Sequence, residues 1–141
     1  MRTLALVFAL CLSVFAQNSI THIRNVTIVD GTGKPGFIGD VTIKGSTISK
    51  IGKPNSAKPK TGETVIEGAG LVLAPGFIDI HNHSESGLLR EGVAANQVSQ
   101  GITTVIVGPD GGSPESIGDY FSKLDGKIGI NVGAFIGHGT I

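Results

Sequence analysis

Residues 71–85 read LVLAPGFIDIHNHSE, and this stretch decides how the rest of the chain is organised. Val72, Leu73, Phe77, Ile78 and Ile80 are strand formers, and Pro75-Gly76 punctuates the run. It ends in His81-Asn82-His83. Side chains alternate faces along a strand, so Phe77, Asp79, His81 and His83 are expected on one face, with Ile78 and Ile80 on the other. A polar face ending in two imidazoles and backed by aliphatics suits the first strand of a barrel whose mouth binds a metal. The plainer reading is a pair of exposed loop histidines. Asp79 favours the metal reading, because a carboxylate on the same face can orient or support the ligand shell.

Downstream of this stretch the pattern is helical and then extended by turns. Within 87–99, Leu88, Leu89, Val93, Ala94 and Val98 form a loose helical stripe, weakened at Gly92 and stopped at Gly101. Residues 102–107, ITTVIV, form a β-branched run suited to a strand buried on both faces. A short helix is expected from Ser113-Pro114 through Leu124, and a third apolar run spans 128–136. Strand, helix, strand, helix, strand is the start of a parallel α/β architecture.

Upstream the pattern is all β. Strands are expected at 22–29, 37–44, 47–51 and 64–67, with Asp30-Gly31-Thr32-Gly33 as turn chemistry and Gly45-Ser46 as a two-residue hairpin turn. Residues 53–62, KPNSAKPKTG, read as an exposed loop. The expected organisation is therefore three-part: a leader at 1–16, a partial small β-sandwich module at 17–69, and a parallel α/β segment at 70–141.

The leader reading rests on Arg2, an apolar core at 4–15, and Val14-Phe15-Ala16 as a small-residue cleavage site. It implies export to the periplasm or the extracellular space, with cleavage near Ala16 and Gln17 as the mature start. The apolar run is shorter than the roughly 20 residues of a spanning helix. Phe8-Ala9-Leu10 before Cys11 is a poor lipoprotein match, so no stable membrane anchor is expected. Cys11 is the only cysteine, which leaves the mature chain without disulfides or thiolate metal sites. Eleven basic residues balance eleven acidic ones, which argues against a nucleic-acid surface.

GFIDIHNH, residues 76–83, resembles the first-strand metal motif of the amidohydrolase superfamily. Three further stretches narrow the resemblance: DGTGKPGFIGDVTIKGSTISKIG at 30–52, QGITTVIVG at 100–108 and NVGAFIGHG at 131–139. Their order and wording resemble the N-acyl-D-amino-acid deacylases, or D-aminoacylases, over nearly all of the chain after about residue 22. The resemblance implies a (β/α)8 barrel, which typically takes about 250 residues. The chain has 141, so residues 70–141 are expected to be its first three β/α units, truncated. A compact three-strand domain is the alternative.

The resemblance also implies the chemistry. In the family one or two divalent metal ions, usually Zn2+, sit at the carboxy-terminal mouth of the barrel and activate a water that attacks an amide carbonyl. His81 and His83 match the first-strand ligands. The other histidine ligands and the catalytic aspartate lie on later strands, expected beyond residue 141, so the 141-residue chain alone is expected to be inactive. Asp110, in VGPDGGS, stands where typical D-aminoacylases carry a cysteine ligand in a VGNCG-like stretch. It is either a ligand with altered metal preference or the aspartate of an Asp-Gly turn. His138 ends the third strand and is either a substrate contact or a loop residue. The implied substrate is a small-molecule N-acyl amino acid or related amide. The alternatives are a noncatalytic fragment, or an amidohydrolase of dihydroorotase, imidazolone hydrolase or deaminase type.

Overall fold

The structure is a computed structural model that describes residues 19–141. The leader expected at 1–16, with Cys11, lies outside the described residues. The chain divides into two compact units, one ending at Pro75 and the other spanning Gly76–Ile141.

The first unit is a five-stranded sheet built from β1 (Ile20–Ile28), β2 (Phe37–Lys44), β3 (Thr47–Gly52), β4 (Thr64–Glu67) and β5 (Val72–Leu73). The first three strands form two antiparallel hairpins, and the β2–β3 turn opens on Gly45 at φ 59°, as the glycine at that position of a tight turn allows. β4 and β5 both run parallel to β1, pairing with its first and last parts respectively. Val26, Ile28 and Val41 form a small core, with Ile23, Ile43 and Leu73 packed against it.

β1 carries a bulge: Ile23 pairs with Val41 and Val26 with Gly39, so one extra residue sits in β1. Asn25 adopts a left-handed φ of 55° there. Opposite it Asp40 is 2% exposed, and its carboxylate accepts the Asn25 amide at 2.9 Å and the Ala57 amide at 2.8 Å. Burial alone would push the Asp40 carboxyl up, but the amides of Ala57, Asn25 and Asn55 outweigh it and hold it below the ordinary range. The loop at 53–62 is thus tied to the sheet by a buried charge. Buried His22 adds a second tie: its Nε2 lies 2.9 Å from Glu63 and its Nδ1 lies 3.1 Å from the Thr42 hydroxyl. Asp30 takes the turn role expected of it, accepting from the amide and hydroxyl of Thr32.

The second unit contains β6 (Phe77–Asn82), α1 (Glu85–Arg90), α2 (Ala95–Val98), β7 (Ile102–Val107), α3 (Ile117–Leu124) and β8 (Asn131–Ala134). The strands form a parallel sheet in the order β6-β7-β8. Val105 and Val107 of β7 are fully buried against Leu88, Ala94, Tyr120, Leu124 and Ile130. Burying such a side chain contributes about 1.5–3 kcal/mol, so this cluster carries the unit. The expectation that β7 is buried on both faces is met on one face only, since Thr104 and Ile106 on the other are half-buried.

The change of architecture expected after residue 70 falls between Pro75 and Gly76, because Val72 and Leu73 extend the β1 ladder first. The single helical stripe expected at 87–99 is split into α1 and α2. Gly92 lies in the break, where a Cβ would collide with the Lys127 carbonyl, and its own carbonyl accepts the Gly129 amide at 2.8 Å. Gly101, at φ 81°, ends α2 as expected. α3 starts at Ile117 rather than near Ser113, because the Ser116 side chain caps it by accepting the Asp119 amide. Among the described residues, no helix is long and apolar enough to cross a membrane.

Candidate metal centre

The end of β6 does not keep strict alternation. Asp79 pairs with Val105 and Asn82 with Val107, so three steps of β6 face two of β7. Such a bulge re-aims the side chains that follow it. Asp79 shapes this exit: one oxygen accepts the His81 amide at 3.1 Å and the other accepts the Asn82 side-chain amide at 2.7 Å. The Asn82 hydrogen bond, then the His81 amide, holds the Asp79 carboxyl below its ordinary range. Asn82 in turn accepts from the amide and hydroxyl of Ser84. Asp79 therefore supports the histidine segment through its backbone and through Asn82, rather than by bonding an imidazole nitrogen.

Past this turn the two imidazoles converge on Asp110. Nε2 of His81 lies 3.1 Å from Oδ1 of Asp110, and Nε2 of His83 lies 3.3 Å from Oδ2. The ring centroids are 5.3 Å apart. One ligand atom from each of the three residues falls within 4.8 Å of the others. Two imidazole nitrogens and a carboxylate oxygen are a donor set that suits Zn2+ and tolerates harder divalent ions. Three protein donors with a position left over are also the composition of catalytic rather than structural zinc sites. The residues present fit a divalent metal.

Asp110 reaches this point on the turn after β7, between Gly108 at φ 79° and Gly111 at φ 88°. A Cβ on Gly108 would meet the Phe135 carbonyl at 2.7 Å, so the backbone approach there requires glycine. The turn is held from two sides. The Gly108 amide donates to the Glu85 carboxylate at 3.0 Å. The Gly139 amide donates to the Gly111 carbonyl at 2.8 Å, and the Gly137 amide donates to the Ser113 hydroxyl at 2.9 Å. Ser113 and Thr140 close the same seam, the Thr140 hydroxyl accepting the Ser113 amide at 3.0 Å.

His138 is exposed in the turn after β8, in the loop stitched to the Asp110 turn, and lies outside the three-residue group. Glu85 lines the adjacent cavity of about 410 Å3 with His83, Asp110, Gly112, Ser113 and Pro114. In the sequence Glu85 borders the metal strand and is a candidate to line the pocket, as it does here; its bond to the Gly108 amide has no sequence signal.

No family model matches the chain. It is 32% identical over 139 residues to the D-aminoacylase of Alcaligenes xylosoxydans xylosoxydans, a match covering 82% of this chain and 28% of that protein. The crystal structure of N-acyl-D-glutamate deacylase from Bordetella bronchiseptica, complexed with zinc and a phosphonate inhibitor, superposes with a TM-score of 0.72 at 29% identity, over 87% of this chain and 30% of that one. A D-aminoacylase structure with a binuclear metal centre superposes with a TM-score of 0.69 at 27% identity, over 85% of this chain and 30% of that one. The chain thus spans under a third of the length of these relatives. Its mixed sheet and helix, with a histidine pair closing a parallel strand, is that of an α/β amidohydrolase. The sequence and structural matches support an amidohydrolase nearest the D-aminoacylases.

Proposed function

We propose that the chain carries part of the metal centre of a hydrolase that cleaves the amide of N-acyl-D-amino acids. The observation that carries the reading is the convergence of His81, His83 and Asp110 at the ends of two parallel strands. In this reading β6, β7 and β8 are three strands of a (β/α)8 barrel, and the sheet of the first unit belongs to a small β module. The likeness to a D-aminoacylase and an N-acyl-D-glutamate deacylase structure, over 85% and 87% of the chain, supports both.

His81 and His83 would hold the ion through their Nε2 atoms, and Asp110 through a carboxylate oxygen. The zinc in the Bordetella deacylase structure and the nitrogen-oxygen donor set support Zn2+ as the ion. When bound, such an ion lowers the pKa of water toward neutrality and polarises an amide carbonyl. The chain's own residues do the holding and aiming: Asp79 and Asn82 shape the β6 exit, and the glycine-flanked turn presents Asp110. The substrate would be a small N-acyl amino acid, and the products a carboxylate and a free amine. Residues 1–16 direct export in this reading, with cleavage near Ala16.

The test is metal stoichiometry by elemental analysis for the chain and for a His81→Ala/His83→Ala variant. The parent is expected to retain zinc through dialysis and the variant to lose it. Equal zinc in both would remove the metal reading.

A further inference from the structure

We infer that Glu85 is a positioning residue for this metal centre, holding the turn that carries Asp110 in register with the segment that carries His81 and His83. The inference rests on the metal reading of those three residues and adds a residue that acts through none of their ligand atoms.

Glu85 is anchored twice. Its main-chain carbonyl accepts the hydroxyl of Tyr120 at 3.1 Å, and Tyr120 is 3% exposed within the core under β7. Burial, then the nearby Glu85 charge, pushes the Tyr120 hydroxyl up, so it stays a donor across the neutral range. The Glu85 side chain then reaches across to the end of β7 and accepts the Gly108 amide at 3.0 Å. Asp110 follows two residues later. Gly108 has no slack on its other side, since it already packs on the Phe135 carbonyl.

The Glu85 carboxylate thus joins the segment just after His83 to the residue that starts the Asp110 turn. It lies outside the group of three ligand atoms, so its effect passes through the Gly108 amide. Hydrogen bonds that a carboxylate accepts from a backbone amide are charge-assisted and among the stronger ones. Losing this bond frees the turn to move Asp110 away from the imidazoles, while the histidines keep their own support from Asp79 and Asn82.

The experiment titrates the full chain with Co2+, followed by visible absorption, and with Zn2+ against a chromophoric chelator. Glu85→Ala and Glu85→Asp are expected to weaken metal binding by about 10- to 100-fold, the range for residues that orient ligands. Aspartate is too short to reach Gly108. Glu85→Gln keeps an oxygen acceptor of the same reach and is expected to stay close to the parent. His81→Ala/His83→Ala separates the two levels of the argument. If the parent binds no tighter than this control, the metal reading itself fails. If the parent binds well and Glu85→Ala binds equally well, or Glu85→Gln loses as much as Glu85→Ala, the positioning role is overturned. Circular dichroism reads folding in parallel. Should Glu85→Ala fail to fold, the Gln and Asp variants decide. Loss of the folded state in both assigns Glu85 to the fold and overturns the proposal.

Discussion

Nε2 of His81 lies 3.1 Å from Oδ1 of Asp110, a contact between the ends of two different strands. Both side chains are about 60% exposed, and so is His83. Contacts this exposed contribute at most about 1 kcal/mol each, even between charged partners. Stability therefore gives little reason for three such side chains to meet, whereas a shared cation gives a direct one.

Asp110→Ala is expected to lower metal affinity by at least about tenfold, the lower end of the effect of residues that merely orient ligands. Asp110→Cys is expected to keep zinc and to discriminate more strongly against manganese and magnesium, because thiolate is softer than carboxylate. Elemental analysis after equilibration with each ion checks both, with circular dichroism as the folding control. Full occupancy in Asp110→Ala would leave Asp110 as a turn residue.

Asp40 predicts acid sensitivity of the first unit. Its folded pKa is lowered, so the unfolded chain binds the proton more readily. The stabilisation from Asp40 is then fully present above the unfolded carboxylate range, about pH 4, and fades as pH falls through the lower folded value. Asp40→Asn should cost about 1–3 kcal/mol at pH 7, since one buried amide faces a donor in place of an acceptor. Urea unfolding at pH 7 and near pH 3 should show the gap between parent and variant narrowing in acid. A gap independent of pH would contradict this assignment.

Two glycines should respond oppositely to alanine. Gly92→Ala drives a Cβ into the Lys127 carbonyl and should destabilise the second unit by about 1–3 kcal/mol, although alanine is the better helix former. Gly118, in α3, has open space around its Cβ position, and Gly118→Ala should stabilise by up to about 1 kcal/mol. Denaturant midpoints of the two variants give the signs directly.

The proposed export makes a prediction of its own. Material recovered outside the cytoplasm should begin at or near Gln17 on amino-terminal sequencing. An intact Met1 on cytoplasmic protein would remove the export reading.

Much of this chain was legible in one dimension. The first four strands of the first unit announce themselves by β-branched runs between turn residues, and the Gly45-Ser46 hairpin follows from residue type alone. The parallel order β6-β7-β8 follows from apolar runs separated by helical stripes. His81 and His83 stood out because they close an extended run, and Asp110 because the resemblance puts it, just after the next run, in the place of a cysteine ligand.

Those features depend on local periodicity and backbone preference, which a sequence carries residue by residue. What only the tertiary structure decided depends on register and on how closely two backbones approach. Alternation assigned Asp79 and the histidines to one face, but a bulge before Asn82 breaks that alternation, and Asp79 turns to the His81 amide and to Asn82. Nothing in the wording of residues 37–44 marks Asp40 as a buried acceptor; that comes from the extra residue in β1 and a loop brought in from Ala57. Gly92 breaks a helix because the chain at 127–129 lies against it, and Glu85 reaches Gly108 because Tyr120 grips its carbonyl from the core. The residue types named the candidate ligands, and the packing of distant segments set where each one is held.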